Sequence, residues 1–244
     1  RIIILEHPMS NYQKQQYVNV LRSDIKKDKS LSSKILSEYE SILTDDSDVK
    51  DDKISGIYTT TQQFSNIALP LEKSDIIDSI LTKKSQSAIK SGLNTLKTKL
   101  MSVRNEIKPS QDIIIPEQIL NFIREKGYSE KFVNIIELSL KSNGPVFIFS
   151  NWLQFGVESL AIILDAIGFK KYPEQGLHRY FVWSSETSSD TNLVSNARNT
   201  FNSLDNKDGS LLKIILGTRS IMEGVSFKNV KQVHITDPWW NEAR

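Results

Sequence analysis

The feature that most limits how this 244-residue chain can fold is an alternation that sets in at Ser129. Ser129–Lys141 spaces Phe132, Ile135, Ile136 and Leu140 as one face of a helix, and Gly144-Pro145 then turns into Val146–Phe149 (VFIF). A second amphipathic stretch aligns Leu153, Val157, Leu160, Ala161, Leu164 and Ile167 and closes at Gly168. Arg179–Trp183, a helix over roughly Asp190–Leu204, a turn at Asn206–Gly209, and the runs Leu211–Leu216 and Val230–Ile235 complete the series. Short β-branched and aromatic runs between amphipathic helices read as strands buried on both faces. Connections of this length cannot be hairpins, so the strands should lie parallel with right-handed crossovers. In such sheets ligands bind at the carboxyl ends of the strands. Ser150-Asn151-Trp152, Ser184–Thr191 and Gly217–Ser220 fall at those ends.

The first half is less regular. Arg1–Leu5 is strand-like, His7-Pro8 breaks it, and Ser10 can cap a helix with Gln13 as its capping-box partner. Lys26–Lys53 is dense in charge; its acidic cluster Thr44–Lys53 lacks the glycine and terminal glutamate of a calcium loop, and reads as a solvated segment. Ser55–Pro70 is expected to run extended along the core. Leu93, Leu96, Leu100 and Val103 fall at helical spacing within a Lys-rich stretch, whose lysines either meet phosphates or are simply solvated. Pro116 can start a helix that Gly127 ends, with Ile119, Leu120 and Ile123 sharing a face.

Composition narrows the classes. A net charge of +2 does not by itself argue for nucleic acid, so any basic surface must be local. With no cysteine, disulfides and thiolate metal sites are excluded, which suits an intracellular compartment. No apolar run approaches the length of a membrane span and no signal peptide is visible. The chain starts inside an apolar run and is expected to be an excised fragment.

Several of these stretches carry a resemblance. Gly217-Thr218 with Glu223-Gly224-Val225-Ser226 resembles motif V of superfamily 2 helicases, and His234–Arg244 (HITDPWWNEAR) resembles the strand and loop leading into motif VI. The pairing is most similar to nucleoside triphosphatase I and the early transcription factor helicases of large DNA viruses, distant relatives of the Swi/Snf remodellers. Lys131-Phe132 resembles the helix before motif IV, and Val146–Trp152 motif IV itself. Ser184–Thr191 resembles a loop that usually reads Ser-Gly-Ser/Thr, with Ser185 in place of the Gly. Phe201-Asn202 matches the viral subgroup, and Ser10 with Tyr12-Gln13 and Tyr17 resembles the segment linking the two motor domains.

The resemblance implies an α/β, RecA-like parallel sheet with helices on both faces, plus a helical, polar N-terminal insertion. Residues 129–244 would be the second RecA-like domain, cut before the Gln-Gly-Arg-Arg of motif VI; residues 1–128 would be a linker and a charged insertion region. It implies a nucleic-acid-dependent ATPase acting in transcription, with DNA as the foremost track, gripped through phosphates. Neutral donors suit that task, because a translocating motor needs a grip independent of sequence. Ser150, Asn151, Ser184, Ser185, Thr218, Arg219 and Ser220 are the residues that match. Gly224 and Ser226 would edge an ATP cleft, with Ser226 where many relatives have an acid. Trp239 and Trp240 would anchor the core or stack on bases.

ATP and magnesium would be held mainly by an N-terminal RecA-like domain of the same protein, outside this chain, with a viral RNA polymerase as a further partner and no membrane. The expected location is intracellular, in the virion or host cytoplasm. No Gly-x-x-x-x-Gly-Lys-Ser/Thr phosphate loop occurs and no Asp-Glu pair follows a strand, so no catalytic or metal residue is assigned here and this chain alone should not hydrolyse ATP. Two other classes compete. One is a degenerate motor domain kept as a scaffold in a transcription complex. The other, an unrelated dinucleotide-binding enzyme, lacks any Gly-x-Gly-x-x-Gly run.

Overall fold

The structure, a computed structural model, describes residues 3–27, 59–71, 85–110, 113–221 and 225–237. Ser10 begins helix α1 (Asn11–Lys27) as expected, its hydroxyl accepting from the Gln13 N–H at 3.0 Å. Gln13 does not return to complete a capping box. It is buried, and its amide donates to the carbonyls of Phe64 and Ser65 at 3.1 Å each. Those carbonyls close helix α2 (Thr59–Asn66), which replaces the extended run expected over Ser55–Pro70. A helix end leaves its last carbonyls without internal partners, and Gln13 satisfies two of them. Beyond α2 the chain does run extended, with Ile67, Ala68 and Leu69 fully buried. Gln16 and Tyr12 of α1 both donate to the Leu69 carbonyl. Ile3–Leu5, expected in a strand, joins no sheet, and all three side chains are exposed.

Helix α3 (Ser85–Ile107) buries the expected Leu93, Leu96 and Leu100. Helix α4 (Pro116–Lys126) has proline in its first turn and ends at Gly127, whose left-handed φ of 68° suits glycine. Helix α5 (Glu130–Lys141) is capped by Ser129, which accepts from the Phe132 N–H. Strand β1 (Val146–Phe149) follows. A widened turn, Leu153–Glu158, then leads into helix α6 (Ser159–Ile167). Strands β2 (Lys170–Lys171) and β3 (Arg179–Trp183), helix α7 (Thr191–Asn202), and strands β4 (Ile214–Gly217) and β5 (Gln232–Ile235) complete the order.

The strands make one sheet, β2-β3-β4-β1-β5, parallel at every pairing. Its side chains alternate between two cores. Tyr180, Val182, Ile214, Leu216, Val146 and Ile148 pack among residues of α1 to α6. Phe181, Trp183 and Ile215 turn the other way, against Ala197 and Phe201 of α7, with Phe227 packed alongside. Helices therefore cover both faces, as the sequence pattern requires. The apolar core on the first face runs continuously from Val20 of α1 through Leu100 of α3 to Leu216 of β4. Arg104 joins α3 to α6 as well. Its guanidinium donates to the carbonyls of Ala166 and Ile167 at 3.1 and 2.9 Å, placing a cation at the negative end of that helix. Among the described residues no helix is long and apolar enough to cross a membrane.

Candidate nucleic-acid interface

The parallel ladder carries past the ends of the strands and draws the following loops together. Ser150 N–H donates to the Gly217 carbonyl, Thr218 N–H to Trp183, and Thr236 N–H to Phe149, at 3.0, 3.1 and 3.0 Å. The residues after β1, β3, β4 and β5 are thereby aligned along the carboxyl edge. A cavity of about 220 Å³ opens there, lined by Asn151, Leu153, Ser184, Ser185, Thr218, Arg219 and Ser220. Apart from Leu153, these are residues that sequence reasoning assigned to nucleic acid, and they come from three separate loops.

Each loop is shaped by its own polar groups. After β3, the Thr187 hydroxyl accepts from Ser184 N–H at 2.8 Å, and the Ser188 hydroxyl donates to the Ser184 carbonyl at 2.7 Å. Ser184 is buried and Ser185 exposed. Ser185 is not among the described residues with positive φ, so its backbone does not require the glycine that the family usually has there. After β4, the Thr218 and Ser220 hydroxyls lie 3.1 Å apart, and Arg219 Nε donates to Asn151 Oδ1 at 2.9 Å. The result is a rim of hydroxyls, one amide and one guanidinium. Such a rim suits an anion whose position matters more than its identity.

Ser150 is the predicted residue that does not line this cavity. It is fully buried, and its hydroxyl donates to Asp237 Oδ1 at 2.7 Å. Asp237, just past β5, gathers a polar cluster that sequence reasoning missed. Its carboxylate also accepts from Asn151 N–H at 2.7 Å, from the Asn66 amide at 3.2 Å and from the neighbouring Thr236 hydroxyl. Asn151 returns a second bond, its amide donating to the Asp237 carbonyl at 2.9 Å. Behind the cluster, Lys131 Nζ donates to Asn66 Oδ1 at 3.0 Å and the Thr236 carbonyl at 3.1 Å. Burial pushes the Lys131 ammonium below its ordinary pKa, and the charge of Asp237 opposes that shift. The one signal in the sequence was an acid standing where a strand stops.

Gly156 makes the close packing possible. A Cβ on it would sit 2.0 Å from the Ser150 Oγ and 2.6 Å from its Cβ, so only glycine lets the widened turn lie over Ser150. That turn also returns the Ser159 hydroxyl to the Gln154 carbonyl at 2.7 Å.

Of the two residues assigned to a nucleotide, Ser226 lies elsewhere. Ser226 is exposed, and its backbone is clamped by Asn202, whose amide donates to the Ser226 carbonyl at 3.0 Å and accepts from Lys228 N–H at 2.6 Å. Phe227, between them, stacks against Phe147, Trp183 and Phe201 with centroids 5.0 to 6.2 Å apart. This gives the Phe201-Asn202 pair a physical role: ring and amide together anchor the segment before β5. Gly224, Trp239, Trp240 and the acidic run Thr44–Lys53 lie outside the described residues. Ser226 offers a hydroxyl and backbone groups, which fit the ribose end of a nucleotide. They do not fit a triphosphate with its metal, and among the described residues no group of three or more His, Cys, Asp or Glu could hold a metal ion.

No protein-family model matches the chain. It is similar to a protein of Acanthamoeba polyphaga mimivirus named as an ATP-dependent RNA helicase, with 36% identity over 133 residues, 53% of this chain and 23% of that protein. It is also similar to nucleoside triphosphatase I of Choristoneura biennis entomopoxvirus, at 29% over 57% of this chain and 20% of the relative. A termination factor NPH-I homolog of African swine fever virus matches at 25% over 60% of this chain and 25% of the relative. The chain thus spans a quarter or less of each of these relatives. A parallel sheet covered on both faces and these relatives agree: the chain is similar to helicases and nucleoside triphosphatases of large DNA viruses, consistent with a superfamily 2 helicase C-terminal domain.

Proposed function

We propose that this chain is the C-terminal motor domain of a viral nucleic-acid-dependent ATPase that translocates along its track during transcription. Residues 129–244 would supply the second RecA-like unit, and residues 1–128 the linker and insertion. The observation that carries the proposal is the cavity in which Asn151, Ser184, Ser185, Thr218, Arg219 and Ser220 meet across the ends of β1, β3 and β4. The name of the swine fever virus relative supports the setting in transcription.

In this mechanism the hydroxyls of Ser185, Thr218 and Ser220 donate to successive phosphate oxygens. Neutral donors exchange partners readily, so the grip can be made and released as the motor steps. Arg219 adds charge, and Asn151 steadies its guanidinium. Gly224 and Ser226 would approach a nucleotide's ribose, while the triphosphate and magnesium would belong to a partner RecA-like domain. ATP, when bound between the two, supplies the free energy for stepping. A viral RNA polymerase would be a further partner.

The test is binding of fluorescent single- and double-stranded DNA, and of RNA, by anisotropy across a range of salt. Arg219→Ala should weaken binding and reduce the salt slope by roughly 0.7 on single strands or 0.9 on duplex. Unchanged affinity and slope would overturn the grip and leave the non-catalytic scaffold. Joined to its full-length motor, the chain should take part in ATP turnover; alone it should show none. Turnover by the isolated chain would mean that the catalytic groups were misassigned.

A further inference from the structure

We infer that Asp237 is a positioning residue for the nucleic-acid grip, setting the pose of Arg219 through Asn151. The inference rests on the reading of the carboxyl-edge cavity as that grip. Asp237 does not line the cavity, yet it holds Asn151, which reaches from the buried cluster to its rim.

Asn151 decides the matter because its hydrogen-bonding groups are committed in a fixed order. Its backbone N–H donates to Asp237 Oδ2 at 2.7 Å and its amide NH2 to the Asp237 carbonyl at 2.9 Å. Its Oδ1 then faces outward, and there it accepts from Arg219 Nε at 2.9 Å. A flipped amide would set NH2 against the guanidinium and Oδ1 against a carbonyl, replacing two attractions by two repulsions. The main-chain carbonyl of Asp237 therefore selects the amide orientation that Arg219 needs, while the Asp237 carboxylate fixes the Asn151 backbone that presents it.

Asp237 is itself held firmly. Ser150 from just past β1, Thr236 from just past β5 and Asn66 from α2 donate to Oδ1, and Gly156 lets the turn close over Ser150. Ser150-Asn151 and Thr236-Asp237 are thus bonded together, and Asn151 carries that link to the loop after β4. A charged donor steadied before its ligand arrives loses less freedom on binding.

The experiment uses the 244-residue chain and a fluorescein-labelled single-stranded oligonucleotide, with affinity measured at several salt concentrations. Asp237→Asn keeps the shape of the carboxylate but loses an acceptor. It should weaken binding by roughly fivefold and lower the salt slope by about 0.7, as Arg219→Ala does. The double variant should bind no more weakly than Arg219→Ala alone. If Asp237→Asn fails to fold by circular dichroism, Asn151→Ala takes its place, since it leaves the Ser150, Thr236 and Asn66 contacts to Asp237 intact. The same non-additivity with Arg219→Ala is expected. A full salt slope in the single variants, or losses that simply add, would make Asp237 a structural carboxylate and overturn the inference while leaving the grip. An Arg219→Ala protein that binds like wild type removes the grip, and the positioning role falls with it.

Discussion

Two polar clusters stand side by side at the carboxyl edge, built from the same kinds of residue and turned in opposite directions. Around Asp237, Ser150, Thr236, Asn66 and the Asn151 N–H are turned inward and bonded to one buried carboxylate. Around the cavity, Ser185, Thr218, Arg219 and Ser220 turn outward. The difference lies in the acid. A carboxylate with four donors consumes the hydrogen-bonding capacity of its neighbours and converts them into structure. Around the cavity no described carboxylate gathers them in the same way, and the hydroxyls of Thr218 and Ser220 bond to each other at the open rim. A serine at a strand end is thus an inward brace or an open-rim hydroxyl depending on what stands one strand away.

The comparison breaks most readily at Asp237. Asp237→Ala would leave Ser150, Thr236, Asn66 and the Asn151 N–H without an acceptor, most of them in the interior. Each stranded buried donor costs about 1–3 kcal/mol, so the loss should reach at least about 3 kcal/mol. In thermal unfolding that corresponds to a fall of roughly 6–12 °C for a chain of this size. A melting point within a degree or two of wild type would mean that the cluster is not a brace.

Gly156→Ala strikes the same cluster by shape instead of charge. The added methyl must displace Ser150, whose Oγ lies 2.0 Å from where it would sit. Overpacking of this kind costs about 1–3 kcal/mol. The effect should be smaller than that of Asp237→Ala, because the acceptor remains and Ser150 can shift. Should Gly156→Ala unfold at the wild-type temperature, the turn over Ser150 is looser than its geometry requires.

How much of this was legible beforehand differs between the clusters for a physical reason. Strands β1 and β3 match their apolar runs residue for residue, because a strand buried on both faces writes itself into the sequence. Strand β4 starts later than its run. The N–H groups of Leu211 and Leu212 donate to Asn206 Oδ1 at 2.9 and 2.8 Å, so the turn claims them before the ladder does. Strand β2 is two lysines and carries no apolar signal. Helix α2 is rich in Thr and is held by Gln13, 51 residues away from Phe64, a contact no local pattern reveals. The cavity was legible because its residues follow strands directly. The Asp237 cluster was not, since Asn66 lies 171 residues from Asp237 and a lone acid has no period.

The smallest expected effect on stability separates the clusters most cleanly. Ser185 and Thr218 sit on the open side, and Ser185→Ala or Thr218→Ala removes a hydroxyl that braces little: Ser185 is exposed, and the partner of Thr218 is the exposed Ser220. Surface changes of this kind stay within about 0.5 kcal/mol, so melting should be nearly unmoved. Binding should respond, because each hydroxyl lost from a phosphate contact costs on the order of 1 kcal/mol, about fivefold in affinity. The salt slope should stay at its wild-type value, since a neutral donor releases no counterion. This sets the two variants apart from Arg219→Ala, which lowers affinity and slope together. The measurements are a thermal melt and an anisotropy titration on the same preparation. A variant that melts early but binds normally would place Ser185 or Thr218 with the braces, and the division between the two clusters would have to be redrawn around it.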